Sequence, residues 1–218
     1  KVVQYQDINY QLAQEEDKRA IFDKYCEFLN YFDRSIHVQL CFYNYSGRIA
    51  DYQVTIDIEE QKDAFNDIRQ EYAEMLRNQL AKGNNGLIKN KYLVFGIEAD
   101  NYRTAKTRLE RIELDVVNHL RGLGAIAQSL NGAERLHVMH DLLNESQHKF
   151  HFDWKRLKQS GLATKDFIAP SGFDFNPTGS FGMGRKHAQV SYLQILAPEL
   201  SDELLKNFLI MESDLAVT

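Results

Sequence analysis

The fold is decided by residues 90–136, NKYLVFGIEADNYRTAKTRLERIELDVVNHLRGLGAIAQSLNGAERL. Tyr92–Ile97 is apolar on both alternating faces, which is typical of a central strand covered on both sides. Asp100 or Asn101 can then cap a helix. Apolar residues follow at steps of three and four, the period of an amphipathic helix lying on a sheet: Ala105, Leu109, Ile112, Val116, Leu120 and Leu123. We therefore expect a strand and a long helix here, with a short helix over Gly132–Asn144.

The residues before this stretch predict another strand and a β-hairpin. Val2–Tyr10 has the β-branched and aromatic content of a short strand. Ile36–Asn44 and Ala50–Ile58 alternate apolar and polar side chains on either side of a Ser46-Gly47 turn. This period of two predicts that each hairpin strand has one buried face and one face in contact with water.

Two further helices are predicted before residue 87. The first begins near Gln14, and its apolar stripe consists of Ile21, Tyr25, Phe28 or Leu29, and Phe32. The second covers Glu59–Lys82, and its inner stripe consists of Phe65, Ile68, Tyr72, Met75 or Leu76, and Leu80. We expect both helices to pack on the sheet.

The C-terminal part of the chain has weaker patterns. Phe150–Gly161 is predicted to be irregular, and Phe167–Thr178 with Gly179–Gly184 to form an exposed, partly ordered loop. His187–Leu196 predicts a strand, and Ser201–Met211 predicts a capped helix. The last residues have the pattern of a strand that begins.

These elements predict an α/β (α+β) protein with a mixed, mainly antiparallel sheet. A β-hairpin and long amphipathic helices belong to it, and ferredoxin-like connectivity is one arrangement that fits. We expect residues 1–218 to form a single domain, with residues 1–145 as a core and residues 146–218 as an extension. Because the chain starts on Lys1 and ends within an apparent strand, we expect it to be a segment of a longer protein.

Composition limits the classes of function. The net charge of -5 lacks the basic excess of a dedicated nucleic-acid-binding protein, and the basic cluster Lys155–Lys158 is interpreted as a solvated surface. Cys26 and Cys41 are too few for a disulfide framework, so we expect reduced, partly buried thiols in a cytosolic protein. No run reaches the roughly 18 consecutive apolar residues of a membrane-spanning helix.

The sequence contains no complete catalytic motif. Gly179–Lys186 (GSFGMGRK) has the G-x-x-x-x-G frame of a phosphate-binding loop, but Arg185 stands where lysine is needed and Lys186 where a hydroxyl is needed. A glycine-rich loop before a strand is the better interpretation. Carboxylates at a predicted strand end and helix start are interpreted as structural: Asp57, Glu59 and Glu60.

Four of the seven histidines lie close together in the sequence: His137, His140, His148 and His151. His140-Asp141 is the dipeptide of HD-type metal-dependent hydrolases, in which imidazole and carboxylate bind a hydrolytic metal. Because a metal site needs three or four converging ligands, histidines facing solvent or a partner are the preferred interpretation. The aromatic segments Phe150–Trp154 and Phe173–Phe175 are the main candidates for a contact surface.

Several segments in a fixed order carry a family resemblance. They are QDINYQLAQEEDKRAIFDKYCEFLNYFD (6–33), GNNGLIKNKYLVFGIEADNYRTAKTRLERIELDVVNHLRGLG (83–124), LNGAERLHVMHDLLN (130–144), SGLATKDFIAPSGFDF (160–175), FGMGRKHAQVSYLQILAPELSDELL (181–205) and MESDLAVT (211–218). With these segments the chain resembles the N-terminal region of the conjugative-transfer ATPases of type IV secretion systems (the CagE/TrbE/VirB family), in the form found on conjugative elements of Gram-positive bacteria. The resemblance covers nearly the whole chain.

The resemblance implies a non-catalytic docking and assembly domain of an ATPase that energises DNA or protein transfer and pilus or channel assembly. The implied partners are inner-membrane channel subunits, with self-association through the parent protein. The implied location is cytoplasmic and peripheral at the inner face of the cell membrane. ATP and Mg belong to a RecA-like motor domain of the parent, which this sequence does not include.

The resemblance assigns no catalytic, cofactor-binding or metal-ligating residue to this chain. Shared residues that can be placed are expected to be structural, with a local Glu134-Arg135 ion pair: Tyr92, Gly96, Gly132, Glu134, Arg135 and Leu136. Two alternatives stay open, an HD-type metal-dependent hydrolase built on His140 and Asp141, and a stand-alone adaptor that binds DNA or protein through the sheet. Direct binding of nucleic acid is not expected from the acidic net charge.

Overall fold

The computed structural model describes residues 1–8, 10, 13–46, 58, 61–82, 87–144, 150–177, 179–194, 196, 206–207 and 215–218. Within these ranges the helices are α1 (Glu15–Asn30), α2 (Asn66–Lys82), α3 (Tyr102–Gly122), α4 (Gly132–Leu143), α5 (Trp154–Ser160) and α6 (Lys165–Ile168). The strands are β1 (Val2–Tyr5), β2 (Ile36–Ser46), β3 (Leu87–Ile97), β4 (Ala127–Ser129), β5 (Phe173–Phe175), β6 (Ser180–Met183), β7 (Lys186–Gln189) and β8 (Leu215–Val217). The predicted α+β class is confirmed.

Five strands form one sheet in the order β4-β1-β3-β2-β8. β1 runs antiparallel to both of its neighbours, so that Val3 lies opposite Leu93 on β3 and opposite Ser129 on β4. The units β1-α1-β2 and β3-α3-β4 interleave to give the order 4-1-3-2, which is the ferredoxin-like connectivity. β8 extends this sheet beside β2, and the segment that contains α2 is inserted between β2 and β3.

The core of this sheet lies under α1 and α3. Val3, Leu93 and Phe95 project from β1 and β3 into a cluster with side chains of the two helices and of the turn after α3. The helix and turn members of the cluster are Phe28, Ile112, Val116, Val117, Leu120, Leu123 and Ala125. Val2 and Tyr92 on the opposite face of the same two strands are buried as well. β3 is therefore a central strand covered on both faces, as its apolar alternation predicted.

The start of α3 is fixed by Asn101, one of the two predicted caps. Its Oδ1 accepts the Thr104 backbone N–H at 2.9 Å and the Thr104 hydroxyl at 3.0 Å. This bond satisfies an amide that has no partner within the first turn of the helix. The predicted apolar face of α3 is the one that enters the core.

α2 begins at Asn66, seven residues after the predicted start at Glu59. Asp63 Oδ1 accepts the Phe65 N–H at 3.0 Å, and Asn66 Oδ1 accepts the Gln61 N–H at 3.0 Å. These side chains offer the backbone alternative hydrogen bonds, so the residues just before Asn66 form turns instead of helix. The predicted helix boundary is wrong for this reason.

The segment after residue 150 is more regular than predicted. Phe150–Gly161, expected to be irregular, contains α5, whose first turn is capped by Asp153 Oδ1 at 2.9 Å from the Lys155 N–H. The helix ends at Gly161, which has a left-handed φ of 68° that glycine adopts without a steric penalty.

Two regions predicted as loop or long strand form a small antiparallel sheet, β5-β6-β7. The predicted exposed loop includes β5 and β6, and the predicted strand over His187–Leu196 is limited to β7, which ends at Gln189. β4 was not predicted at all. Strands of three or four residues are too short to show a periodic pattern.

Some predictions fall outside the described residues. The second hairpin arm, Ala50–Ile58, is described only at Ile58, and the side chain of Leu80 is also outside. Of the predicted helix Ser201–Met211, only Lys206 and Asn207 are described, and they are helical. The strand expected at the end of the chain is confirmed as β8.

The chain divides into two compact units. The first consists of Lys1–Tyr43, Lys89–Arg135 and Ala216–Thr218, and the second of Asn44–Ile88 and Leu136–Leu215. Among the helices that the structure describes, none is long and apolar enough to cross a membrane. The single-domain organisation stays a prediction.

Candidate interaction surfaces

Most described residues of the predicted inner stripe of α2 face solvent, so the prediction is wrong for them, whereas Leu76, offered as the alternative to Met75, is half-buried. Ile68, Tyr72 and Met75 recur at helical spacing, and their side chains are 61%, 51% and 47% exposed. Phe65, just before the helix, is exposed too. Ala73, on another side of α2, is buried. Helical periodicity identifies an apolar face but does not reveal whether another element covers it.

The start of α2 is held by an ion pair and hydrogen bonds. Arg69 donates to both carboxylate oxygens of Asp63 at 2.5 Å and to Asn66 Oδ1 at 2.7 Å. The hydrogen bonds from the Arg69 guanidinium and the Phe65 amide lower the pKa of Asp63 to about 2. Asp63 is therefore ionised at neutral pH, and this network orders the turn from which the exposed stripe begins.

α1 has an inner and an outer apolar face. Phe28 is buried against Phe32 and His119, with ring centroids 5.2 Å and 5.9 Å away. Ile21 also packs against the core, whereas Tyr25 of the predicted stripe is exposed. The outer residues at helical spacing are Phe22, Tyr25 and Leu29. The prediction of the buried stripe is thus confirmed for Phe28 rather than Leu29.

His137 and His140 of α4 share the carboxylate of Asp141. His137 Nε2 lies 3.6 Å from Asp141 Oδ2, and His140 Nδ1 lies 3.4 Å from Asp141 Oδ1. The His140 side chain is buried. Asn144 Nδ2 donates one hydrogen bond to the backbone carbonyl of His140 and another to the backbone carbonyl of Ile168. Asp141 thus has local partners on α4, and Asn144 connects α4 to α6.

Aromatic rings extend this pair of histidines into a longer cluster. Phe150 stacks on His137 with the centroids 5.1 Å apart and the planes 9° apart. Phe152 stacks on Phe150 in turn and makes edge contacts with Trp154 and Phe167. The predicted contact segment Phe150–Trp154 is therefore largely an internal stack that ends in a half-exposed indole.

Of the four histidines that lie close together in the sequence, the structure brings two into contact with the same carboxylate. His137 and His140 meet at Asp141, His151 is described outside this contact, and His148 is not among the described residues. In the described part of the chain, no three His, Cys, Asp or Glu side chains are arranged to hold a metal ion.

A shallow polar groove of about 300 Å³ lies between α1 and α3. Its lining residues are Lys24, Glu27, Asp115, Asn118, His119 and Gly122. At its edge the Tyr31 hydroxyl donates to Asp115 Oδ2 at 2.8 Å. Burial and this hydrogen bond raise the pKa of Tyr31 to about 12. Tyr31 therefore stays protonated near neutral pH, and Asp115 already has a donor.

One face of the small sheet carries three phenylalanines, of which Phe173 and Phe175 are exposed and Phe181 is half-buried. Phe173 and Phe175 lie two residues apart on β5, and Phe175 lies directly opposite Phe181 on β6. The three ring centroids are separated by 5.6–6.4 Å. The prediction singled out Phe173–Phe175 but missed Phe181, since nothing in the local pattern paired the two segments.

The remaining sequence candidates have structural roles where they are described. Gly179–Lys186 forms β6 and a turn into β7, and Gly184 occupies a left-handed conformation with φ of 60°. The interpretation as a glycine-rich loop before a strand is therefore wrong for Ser180–Met183, which form β6, and a strand does follow at Lys186. Cys26 and Cys41 are free and partly buried, and Cys41 Sγ lies 3.3 Å from Thr218 Oγ1. Three predicted structural carboxylates lie outside the described residues: Asp57, Glu59 and Glu60.

Glu134 has a different partner from the predicted one. Its Oε2 accepts the Asn131 N–H at 2.7 Å, while Asn131 Oδ1 accepts the N–H groups of Ala133 and Glu134. This reciprocal arrangement is a capping box at the start of α4.

Comparison of the chain with protein-family models, with curated protein sequences and with solved structures found no significant match.

Proposed function

We propose that this chain is a non-catalytic docking and assembly domain of a conjugation ATPase of the type IV secretion class. The parent enzyme energises transfer of DNA or protein and assembly of a pilus or channel. The proposal places the domain in the cytoplasm, at the inner face of the cell membrane, with inner-membrane channel subunits as its partners. The family resemblance of the sequence motivates the proposal, and the exposed stripe of α2 is the observation that carries it.

The α2 stripe has the properties of a helix that docks into a groove. Ile68, Tyr72 and Met75 lie on one face at the spacing of anchor residues, and each exposes about half of its side chain. Tyr and Met are enriched at protein–protein contacts, because they bury a large area with adaptable or amphipathic side chains. Covering such residues removes apolar surface from water at about 25 cal/mol per Å².

Charged residues flank the stripe. Asp67, Glu71 and Glu74 are exposed on α2 beside the apolar residues. A polar rim around an apolar centre is the usual anatomy of a protein interface. The Asp63–Arg69 network keeps the first turn of α2 in place, which lowers the entropy that docking would otherwise cost.

The direct test is capture of detergent-solubilised inner-membrane channel subunits by the immobilised chain. The double variant Ile68→Glu/Tyr72→Glu should lose capture, because it places two charges at the centre of the apolar contact. Leu114→Glu is the matched control, since Leu114 is an equally exposed apolar residue on α3. Circular dichroism spectra should be unchanged in both variants. Capture that survives the double variant would remove α2 as the docking element, and absence of capture by the unmodified chain would refute the partner.

A second test concerns the parent protein. Translation of the gene beyond the codon for Thr218 should reveal a motor domain with a G-x-x-x-x-G-K-[ST] phosphate-binding motif. A long continuation without this motif contradicts the ATPase assignment, whatever the capture experiment shows.

A further inference from the structure

We propose that the β5-β6-β7 sheet binds unpaired nucleic-acid bases on the face that carries Phe173, Phe175 and Phe181. This is a binding activity separate from the docking function of α2. The occupant is a single-stranded polynucleotide, recognised by stacking of its bases and by the charge of its backbone.

The register of the sheet assigns its residues to two chemically different faces. Phe173, Met183 and Lys186 form one row across the three strands, and Phe175, Phe181 and Ala188 form the next. The opposite face carries Asp174, Gly182, His187, Ser180 and Gln189. Among these eleven strand residues, the six on the phenylalanine face include one lysine and no carboxylate. The one aspartate, Asp174, lies on the opposite face.

The rings are placed for stacking. Phe173 and Phe175 expose 52% and 75% of their side chains, and their planes are only 11° apart. Two aromatic residues at alternate positions of one strand with a third on the neighbouring strand form the platform on which β-sheet RNA-binding modules stack two or three bases. Stacking on such a platform tolerates any base, because every base has a π-face.

Local charge supports a polyanion. Residues 173–189 contain two cationic side chains, Arg185 and Lys186, and one carboxylate, Asp174. Arg185, exposed in the turn between β6 and β7, follows the strand that carries Phe181 and precedes Lys186. Lys186 stands in the same row as Phe173 and Met183, so one cation belongs to the phenylalanine face itself.

A single strand fits this face better than a duplex. In a duplex the base faces are stacked on each other and inaccessible, so a flat platform of phenyl rings has nothing to contact. In a single strand, each stacked base contributes through its aromatic contact and each phosphate through the nearby cations.

The test measures fluorescence anisotropy of labelled oligonucleotides of about 12 nucleotides, the site size of one small binding surface. The probes are oligothymidylate, oligouridylate and a DNA duplex of the same length. The full chain should bind both single strands more tightly than the duplex, and affinity should fall as salt rises from about 50 mM to about 200 mM. Comparing the affinities for oligothymidylate and oligouridylate shows whether the sheet prefers single-stranded DNA or single-stranded RNA.

Variants separate stacking from loss of structure. Phe175→Ala and Phe181→Ala should each weaken single-strand binding by about 5- to 150-fold, the effect of removing one stacked base contact. Phe175→Tyr keeps an aromatic ring and should stay within about threefold of the unmodified chain. Lys186→Gln should reduce the slope of log affinity against log salt by about 0.7. Tyr102→Ala is the control, because Tyr102 is a highly exposed aromatic residue on α3.

Three results would overturn the proposal. They are no single-strand binding at low salt, equal or tighter binding of the duplex, and a loss in Tyr102→Ala as large as that in Phe175→Ala. If sedimentation instead shows a dimer that Phe175→Ala dissociates, while no oligonucleotide binds, the face is a contact between two copies of the chain. The proposed function at α2 is read out by capture of channel subunits, so failure of one proposal leaves the other intact.

Discussion

Replacing Phe28 with Ala should destabilise the first unit by about 3–5 kcal/mol, the cost of truncating a buried phenyl ring. Phe28 is 3% exposed and contacts the core cluster that joins α1 to the sheet and α3. Its ring also packs edge-on against Phe32 at 5.2 Å, and such aromatic pairs contribute about 0.5–1.5 kcal/mol beyond the area they bury. The expected loss of stability is therefore toward the upper part of that range.

Phe22→Ala is the matched control on the same helix. Phe22 is 59% exposed, so its removal should change the free energy of unfolding by no more than about 0.5 kcal/mol. The two variants delete the same chemical group, and they differ only in which side of α1 carries it.

Urea unfolding followed by circular dichroism is the suitable assay. Trp154 is the single tryptophan and belongs to the second unit, whereas circular dichroism also follows the helices of the first unit. If Phe28→Ala costs less than about 1 kcal/mol, or if Phe22→Ala costs as much, the orientation of α1 described above is incorrect.

Two further predictions concern α4 and the edge of the polar groove. Asn131→Ala should lower the free energy of unfolding by about 1 kcal/mol, seen as a lower Tm, because two N–H groups of the capping box lose their acceptor. Glu110→Ala, at an exposed helix position, should leave Tm unchanged. Equal shifts of Tm in the two variants would contradict the capping role. Between about pH 10 and about pH 12, the free energy of unfolding should fall less steeply with pH in Tyr31→Phe than in the unmodified chain. The raised pKa of Tyr31 means that its contribution is complete below the unfolded pKa of about 10 and disappears as pH rises toward the folded value of about 12. Burial also raises the pKa of Tyr5 to about 12, so Tyr31→Phe should keep part of this pH dependence of stability. If denaturant titrations show the full pH dependence in Tyr31→Phe, the role assigned to Tyr31 is contradicted.

The sequence predicted the parts of the fold whose pattern is long and whose apolar residues are buried. β3 and α3 were predicted because both faces of the strand and one face of the helix are apolar over many residues. α5 was missed although both of its boundary signals are present, the Asp153 cap and the Gly161 end. Its seven residues make fewer than two turns, too few for a helical period to appear.

The candidate surfaces were less predictable because exposure is a tertiary property. The stripe of α2 has the same period as a core-facing stripe, and only the folded chain distinguishes Ile68, which faces solvent, from Val116, which faces the core. The aromatic platform depends on a pairing between Phe175 and Phe181 that is set by strand register. His137 and Asp141, in contrast, are four residues apart on one helix, and that contact follows from spacing alone.

β8 determines when the large sheet can be finished during synthesis. Leu215–Val217 lies beside β2, which begins at Ile36, so the last neighbour of β2 leaves the ribosome long after β2 itself. At about 5–20 residues per second, this delay is on the order of 10–35 seconds. During that time the edge of β2 has no β8 to pair with, and an unpaired strand edge can recruit strands from other chains. A nascent chain stalled just before Leu215 should therefore depend more on chaperones than the same chain with β8 added.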